Sequence, residues 1–315
     1  MIPRFPVLPR RALLQGAAGL AAASLLRCTA MWPSGSRANA RLTQTRLAAD
    51  GIVLTAQERA TILGDNRHAT PTWLYTEEPF PVFRMRVGDP LRVTLVNNLS
   101  EHTTIHWHGM RAPNGMDGVP YVTQMPVLPG ERFDYAFTPP DTGFFFFHPH
   151  CNTAEQFGRG LVGILIVEGD EVRPFDDDVV CVLHDWRLAE DGGFLPFVTD
   201  DAARAGTFGT MRTANNRISP EIDVPAGADI RFRLVNLDAT RTGMIGVEGA
   251  ESWVIAIDGN AVTPFVLDTW RLGTAMRLEL ALRTPAEGGR VRLIDYFATE
   301  PVTLGAAMEV PLREP

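Results

Sequence analysis

Lysine is absent from the 315 residues; all 29 basic side chains are arginine. No functional conclusion follows from that bias. Histidine is sparse as well, with seven in the chain and none after His184. Cysteine occurs only at Cys28, Cys151 and Cys181. A disulfide between Cys151 and Cys181 would suit an oxidising compartment, but sequence alone does not decide whether it forms. There is no low-complexity tract, and a composition of 45% hydrophobic and 21% charged residues is that of a globular protein. Long helical periodicities are scarce while Gly (28) and Pro (24) are plentiful, which favours loop-rich β structure over helices. A membrane span is also lacking, because the apolar run from Ala12 to Leu26 is too short and too rich in alanine.

That run reads instead as part of a leader. Arg10-Arg11 followed by Leu13-Leu14 has the twin-arginine pattern, and Ala38-Asn39-Ala40 offers an A-x-A cleavage site. Arg27 directly before Cys28 spoils a lipobox. Residues 1–40 are therefore expected to be a twin-arginine signal peptide that sends a folded, metal-loaded protein to the periplasm or otherwise out of the cytoplasm. Cleavage after Ala40 would remove five arginines and no acid, taking the formal charge from −8 to −13. An acidic surface argues against nucleic acid and against anionic membranes as partners.

The remaining length suffices for two domains with real cores. Short alternating runs separated by Gly/Pro turns dominate: Val82–Val87, Leu91–Val96, Phe133–Phe137, Gly163–Val167, Val179–Leu183 and Ile230–Val235. They read as strands of a β-sandwich. The charged stretch Glu168 to Pro174 is the expected junction between domains. An internal repeat supports two copies of one fold, because Gly88–Asn97 lies over Gly227–Asn236 at a constant offset of 139. Extended without gaps, the offset sets Ile245 opposite His106 and Val247 opposite His108, so the second copy is expected to carry apolar residues where the first carries histidines.

Those histidines are the main chemical signal. His106 and His108 flank Trp107, and His148 and His150 flank Pro149. In an extended strand residues two apart share a face, so each pair projects together. Seven histidines in 315 residues should give about 0.15 His-x-His pairs by chance, and there are two. One such pair is more often a hydrogen-bonded core pair than a ligand pair; two on successive β-elements reverse that preference. Imidazole suits copper, zinc, iron and nickel, so four converging rings form a transition-metal site. His68, His102 and His184 show no paired spacing and are expected to be structural or on the surface, and Trp107 to pack in the core.

The motifs around these pairs are specific. His106-Trp107-His108-Gly109, Asn114-Gly115-Met116-Asp117-Gly118-Val119-Pro120, Thr123-Gln124, Pro129-Gly130-Glu131 and Pro140-Asp141-x-Gly143, leading into His148-Pro149-His150, resemble the first cupredoxin domain of multicopper oxidases. Glu155-Gln156-x-x-Arg159-Gly160-Leu161-x-Gly163 resembles the bacterial laccase-like and copper-resistance branch. Asp258-Gly259-Asn260, with Val262 and Pro264, is similar to the middle, metal-free domain of the three-domain members. The resemblance covers most of residues 45–300. It implies an all-β protein of two tandem cupredoxin-like Greek-key β-sandwich or barrel domains. Residues 41–168 would form the ligand-bearing domain, and residues 171–315 the domain without ligands.

For the site, the resemblance implies copper. His106 would bind the type 2 ion, and His108, His148 and His150 the type 3 pair. Asp117 matches an acidic residue near the cluster's solvent channel and would relay protons, although a turn aspartate before Gly118 reads equally well. The family oxidises phenols or reduced metal ions at a type 1 copper and reduces dioxygen to water at a trinuclear cluster of eight histidines. This chain supplies four of them and has no His-Cys-His motif for the type 1 site. The third domain would be either lost or carried by a separate chain, so the expected partners are dioxygen, a small reducing substrate and, in the second case, that separate chain with its third cupredoxin domain. The alternative is a non-catalytic periplasmic copper-binding or structural cupredoxin protein.

Overall fold

The computed structural model describes residues 39–171, 174–198, 207–286 and 289–296, together with the backbone of 302–309. The expected leader, apart from Asn39 and Ala40, lies outside the described residues. The first sandwich comprises β1 (Gln44–Arg46), β2 (Ile52–Ile62), β3 (Ala69–Leu74), β4 (Val82–Arg86), β5 (Leu91–Asn97), β6 (His106–His108), β7 (Arg132–Phe137), β8 (Gly143–His148) and β9 (Gly163–Glu168). A short helix, α1 (Thr153–Gly158), connects β8 to β9. One sheet has the order β1-β4-β9-β8-β6, the other β3-β2-β5-β7. The all-β expectation holds.

The second sandwich comprises β10 (Asp177–Trp186), β11 (Met211–Ala214), β12 (Glu221–Asp223), β13 (Asp229–Asn236), β14 (Gly243–Glu248) and β15 (Ser252–Ile257). It continues with β16 (Asn260–Val266), β17 (Trp270–Leu272), β18 (Arg277–Arg283), β19 (Arg290–Asp295) and β20 (Val302–Glu309). Its sheets run β11-β10-β13-β18-β15-β16 and β12-β20-β19-β14-β17.

The strand patterns follow from what each face meets. On β5, Leu91, Val93 and Leu95 enter the first core while Arg92 and Thr94 turn outward, the period of two expected of a strand with one buried face. The four phenylalanines of β8 have no such alternation, because both sides of the strand are covered. Phe145 and Phe147 enter the first core. Phe144 and Phe146 enter a second apolar cluster shared with Val180, Val182, Trp186, Val235 and Leu237 of the second sandwich. Burying one such ring contributes about 1.5–3 kcal/mol, and β8 joins the two sandwiches together with Ile164 and Ile166 of β9 and Val82 of β4, which enter the same cluster.

Ion pairs close the same junction. Asp178 on β10 pairs with Arg84 on β4 at 2.7 Å and with Arg233 on β13 at 2.8 Å, and Arg233 continues to Glu279 at 2.7 Å. Residues ahead of β1 also belong to the folded part. Ala40 is 7% exposed within the second sandwich's core; its N–H donates to Glu221 O (3.0 Å) and its carbonyl accepts from Asn215 Nδ2 (3.0 Å). A boundary drawn after Ala40 thus falls inside folded structure.

The repeat is real, but its extension slips by one residue. Asn97 and Asn236 perform the same task at the end of β5 and β13. Asn97 Oδ1 accepts from Leu99 N (3.0 Å) and its Nδ2 donates to Glu101 O (2.9 Å); Asn236 Oδ1 accepts from Asp238 N (3.0 Å), but its Nδ2 donates to Arg241 O (2.8 Å). The second connection carries one extra residue. A one-residue slip moves every side chain to the other face of a strand. Ile245 and Val247 therefore pack against the second core as Ile105 and Trp107 do in the first. The expectation that Ile245 and Val247 stand opposite the histidines is corrected: Gly246 and Glu248 occupy those places.

Candidate metal centre

The two histidine pairs meet because β6 and β8 are antiparallel neighbours. His106 is opposite His148, and His108 is opposite Phe146. Trp107, between the ligands, turns into the first core against Tyr135, Phe137 and Phe147, with ring centroids 5.5–5.8 Å apart. Strand β8 ends at His148, so His150 lies in the bend beyond Pro149, yet it remains on the same side. Its ring centroid is 4.5 Å from that of His106 and 5.3 Å from that of His148. Among the described residues, His106, His108 and His148 each bring one ring nitrogen within 4.8 Å of the others. His150 stands just outside that group.

Hydrogen bonds set which nitrogens are offered. His106 Nδ1 lies 2.7 Å from the Asp117 carbonyl, which only a protonated Nδ1 satisfies, so the lone pair falls on Nε2. His148 Nδ1 lies 3.0 Å from the Pro149 carbonyl, with the same consequence. Its Nε2 faces His108 Nδ1 at 3.3 Å. Partners of this kind orient ligand rings and raise their basicity.

The environment favours the neutral form of His108, His148 and His150. Burial, helped by Arg277 and the neighbouring imidazoles, lowers His108 to about 4. Burial lowers His148 to about 3, against the opposing pull of the Pro149 carbonyl. Burial and then His106 lower His150 as well. Neutral imidazoles are the form that binds a metal, so no proton has to be displaced at neutral pH.

The supporting loop is shaped by glycine. A 3₁₀ turn at Asn114–Met116 delivers Asp117 to His106, placing its carboxylate 3.4 Å from Nδ1. Gly118 has φ +76°, and a Cβ there would lie 1.8 Å from Ile105 O; only glycine lets this loop close on the histidine strand. Gly109 has φ +82°, and a Cβ would lie 2.3 Å from Arg277 Nη2.

Several supporting groups were not singled out from sequence. Buried Gln156 on α1 accepts from Thr103 Oγ1 (2.7 Å), and its Nε2 donates to His102 O (2.9 Å) and to Glu101. Thr104 Oγ1 accepts from His150 N (3.3 Å), and Tyr135 Oη accepts from Ile105 N (2.8 Å). Together they tie the segment entering β6 to the segment leaving β8. Gln156 lies inside a motif that the sequence already marked; Tyr135 and Arg277 carry no local signal.

The remaining expectations resolve simply. His184 is fully buried among Phe80, Phe157 and Trp186, with Nδ1 2.7 Å from Leu237 O. His102 sits edge-on to Tyr121. Cys151 and Cys181 are free, buried thiols; burial pushes them up to about 11 and about 12, so neither offers a thiolate.

Two β-sandwiches of cupredoxin type, the first holding a converging set of imidazoles, define a copper-protein scaffold. Two multicopper oxidase family models match the chain, over residues 56–172 and 195–290. A multicopper oxidase from Pseudomonas thermotolerans is 42% identical with a TM-score of 0.78, over 87% of this chain and 65% of that one. Lac15 from a marine microbial metagenome is 32% identical with a TM-score of 0.71, over 84% of this chain and 69% of that one. Copper resistance protein A of Escherichia coli is 27% identical over 66% of this chain and 42% of its own length. The chain belongs to the multicopper oxidase family, which binds copper. It spans about two-fifths of the first curated relatives it matches.

Proposed function

We propose that this chain is the oxygen-reducing half of a laccase-like copper oxidase that couples oxidation of phenols or metal ions to reduction of dioxygen to water. One observation carries the reading: three imidazoles converge within 4.8 Å on one side of an antiparallel strand pair. Nitrogen donors of this softness and spacing fit copper. His106 would hold the type 2 ion through Nε2, and His108, His148 and His150 the type 3 pair. Bound copper supplies one-electron transfer to dioxygen.

The protein's own groups do the rest. The Asp117 and Pro149 carbonyls fix the tautomers of His106 and His148. The Asp117 carboxylate, 30% exposed and 3.4 Å from His106, bridges solvent and site and is placed to pass in the protons that oxygen reduction consumes. The other half of the ligand set and the type 1 site would come from a separate chain carrying a third cupredoxin domain. The loop beside the imidazoles supports such a docking partner, because Tyr121, Val122, Met125 and Leu128 are 68%, 77%, 69% and 49% exposed. Export to the periplasm through the twin-arginine route completes the proposal, resting on the Arg10-Arg11 pattern.

A second reading, copper binding without turnover, is favoured by the cysteines. Neither Cys151 nor Cys181 stands in a His-Cys-His motif, and Cys181 is enclosed in the apolar core of the second sandwich, so neither has the imidazole partners that a type 1 site needs. One experiment separates the two: metal analysis and oxidase assay of the purified chain, alone and with a candidate third-domain chain, alongside His106→Ala, His148→Ala and His68→Ala. The oxidase reading expects copper uptake lost in the first two variants and kept in the third, with turnover appearing only in the mixture. Uptake without turnover under every condition leaves the binding reading. Equal copper in all variants removes both.

A further inference from the structure

The two copies of the fold treat one position in opposite ways. Arg132 opens β7 opposite Val96, and Arg277 opens β18 opposite Val235, so the two arginines are equivalent in the repeat. Arg132 is exposed to solvent. Arg277 is 3% exposed and points into the junction between the sandwiches. Burying a guanidinium is costly unless its N–H groups are satisfied and its charge is compensated. The fold does not demand that cost, since the first copy avoids it.

The contacts of Arg277 show what the burial achieves. Its Nε donates to Phe144 O on β8 at 3.1 Å, which is a bond from the ligand-free sandwich to the ligand-bearing strand. Nη2 donates to Asp258 O (2.8 Å) and Nη1 to Ala275 O (3.1 Å), with the Asp258 carboxylate 3.4 Å from Nη1. The guanidinium lies 5.8 Å from the centroid of Phe146. Phe146 in turn stacks on His108 at 4.3 Å and 17°, and lies 5.3 Å from His148. Immediately after His108, the chain passes so close to Nη2 that residue 109 has no room for a Cβ.

We propose that Arg277, on the sandwich that carries no metal ligands, is the positioning residue for His108 and His148: it clamps β8 through Phe144 O, backs the Phe146 ring on which His108 rests, and fixes the turn at Gly109. This rests on the reading of those histidines as copper ligands. It also gives the second sandwich a part in the metal centre that its lack of ligands conceals. Groups that orient ligands without touching the metal typically change affinity by about 10–100-fold when removed.

The test uses the purified chain in four forms: wild type, Arg277→Met, Arg277→Lys and the equivalent exposed variant Arg132→Met. Two readouts are taken, histidine ring NMR shifts without metal and copper(II) binding against a competing chelator with electron paramagnetic resonance of the bound ion. Arg277→Met is expected to move the His108 and His148 signals but not those of His68. It should weaken copper binding by about 10–100-fold and change the hyperfine pattern. Arg277→Lys restores part of both, and Arg132→Met changes neither. If Arg277→Met does not fold, Gly109→Ala, which displaces the guanidinium while keeping it, is expected to give the same spectral changes. Unmoved His108 signals and unchanged binding in a folded Arg277→Met protein overturn the proposal. Shifted histidine signals in a chain whose wild type takes up no copper uphold the clamp and overturn the copper reading instead.

Discussion

Gly118→Ala isolates the contact that brings Asp117 to His106, and two other glycines calibrate it. Gly115 has ordinary backbone geometry and nothing within 4 Å of an added Cβ, so Gly115→Ala should change stability by no more than about 0.5 kcal/mol. Gly88 has φ +89° and equally open surroundings, so Gly88→Ala measures the left-handed backbone alone, about 1–2 kcal/mol. Gly118 combines φ +76° with a Cβ 1.8 Å from Ile105 O, 2.4 Å from Ile105 C and 2.8 Å from His106 N. Those are backbone atoms of the ligand segment and cannot swing aside, so either the loop or the segment entering β6 must move. We expect a loss of about 3–4 kcal/mol, the backbone cost plus overpacking. At about 2–4 °C per kcal/mol for a chain of this size, the melting temperature should fall by roughly 6–16 °C. Differential scanning calorimetry of the three variants gives the ordering, and copper titration gives the consequence. Gly88→Ala should bind copper as wild type does, while Gly118→Ala loses the Asp117–His106 contact and binds more weakly. A Gly118→Ala protein no less stable than Gly88→Ala would falsify the steric argument.

Further outcomes follow from the charges. His108 and His148 titrate near 4 and 3 when folded and near 6.5 when unfolded, so below about 6.5 the unfolded chain takes up protons that the folded one refuses. The metal-free protein should therefore lose about 3 kcal/mol between pH 7.5 and 5, after discounting for solvent at His108, and His148→Ala should remove more than half of the dependence; urea unfolding at both pH values checks it. Burial pushes the Asp178 carboxyl up, but Arg233 and Arg84 outweigh it and hold the group below the usual range. Its contribution is present above the unfolded carboxylate pKa and is lost as pH falls through the lower folded value. Asp178→Asn should cost about 3 kcal/mol, since it strips a carboxylate from two partly buried guanidiniums while Arg233 keeps Glu279. By contrast the exposed pair Arg86–Asp170 should matter by no more than about 1 kcal/mol in an Asp170→Asn variant, and a larger loss there would contradict the weight given to burial.

What the sequence revealed of the site depended on local periodicity. His106 and His108 were legible because a strand presents alternate residues together, and Phe144–Phe147 because an unbroken apolar run marks a strand covered on both faces. His150 was paired with His148 by strand periodicity, but the strand stops at His148, and it is the turn beyond Pro149 that returns the ring to the same side. The register of the second copy was not legible past Asn236. One residue inserted in a connection leaves no mark on composition or pattern, and only the hydrogen bonds of Asn97 and Asn236 show it. Arg277 was hidden for a similar reason. In sequence it repeats Arg132, and its burial is a property of two sandwiches meeting rather than of either strand.

The surroundings of the imidazoles are unequal, and that inequality bears on function. On one side Phe146 and Phe157 wall them in, Phe157 edge-on to His148 at 5.6 Å, and this apolar wall is continuous with the junction core. It supplies the burial that keeps His108 and His148 neutral. Beside the set runs the Asp117 loop, whose Tyr121, Val122 and Met125 project into solvent. A metal held for structure alone is enclosed by ligands on every side, whereas a metal that works keeps a position open. A set of donors closed at the back and bordered by an exposed apolar loop suits the second form, which agrees with the proposed oxidase. The second copy of the fold strengthens the point: it builds its core with Gly246 and Glu248 in the equivalent places, so the sandwich does not require the imidazoles of the first copy, in keeping with the proposed copper site.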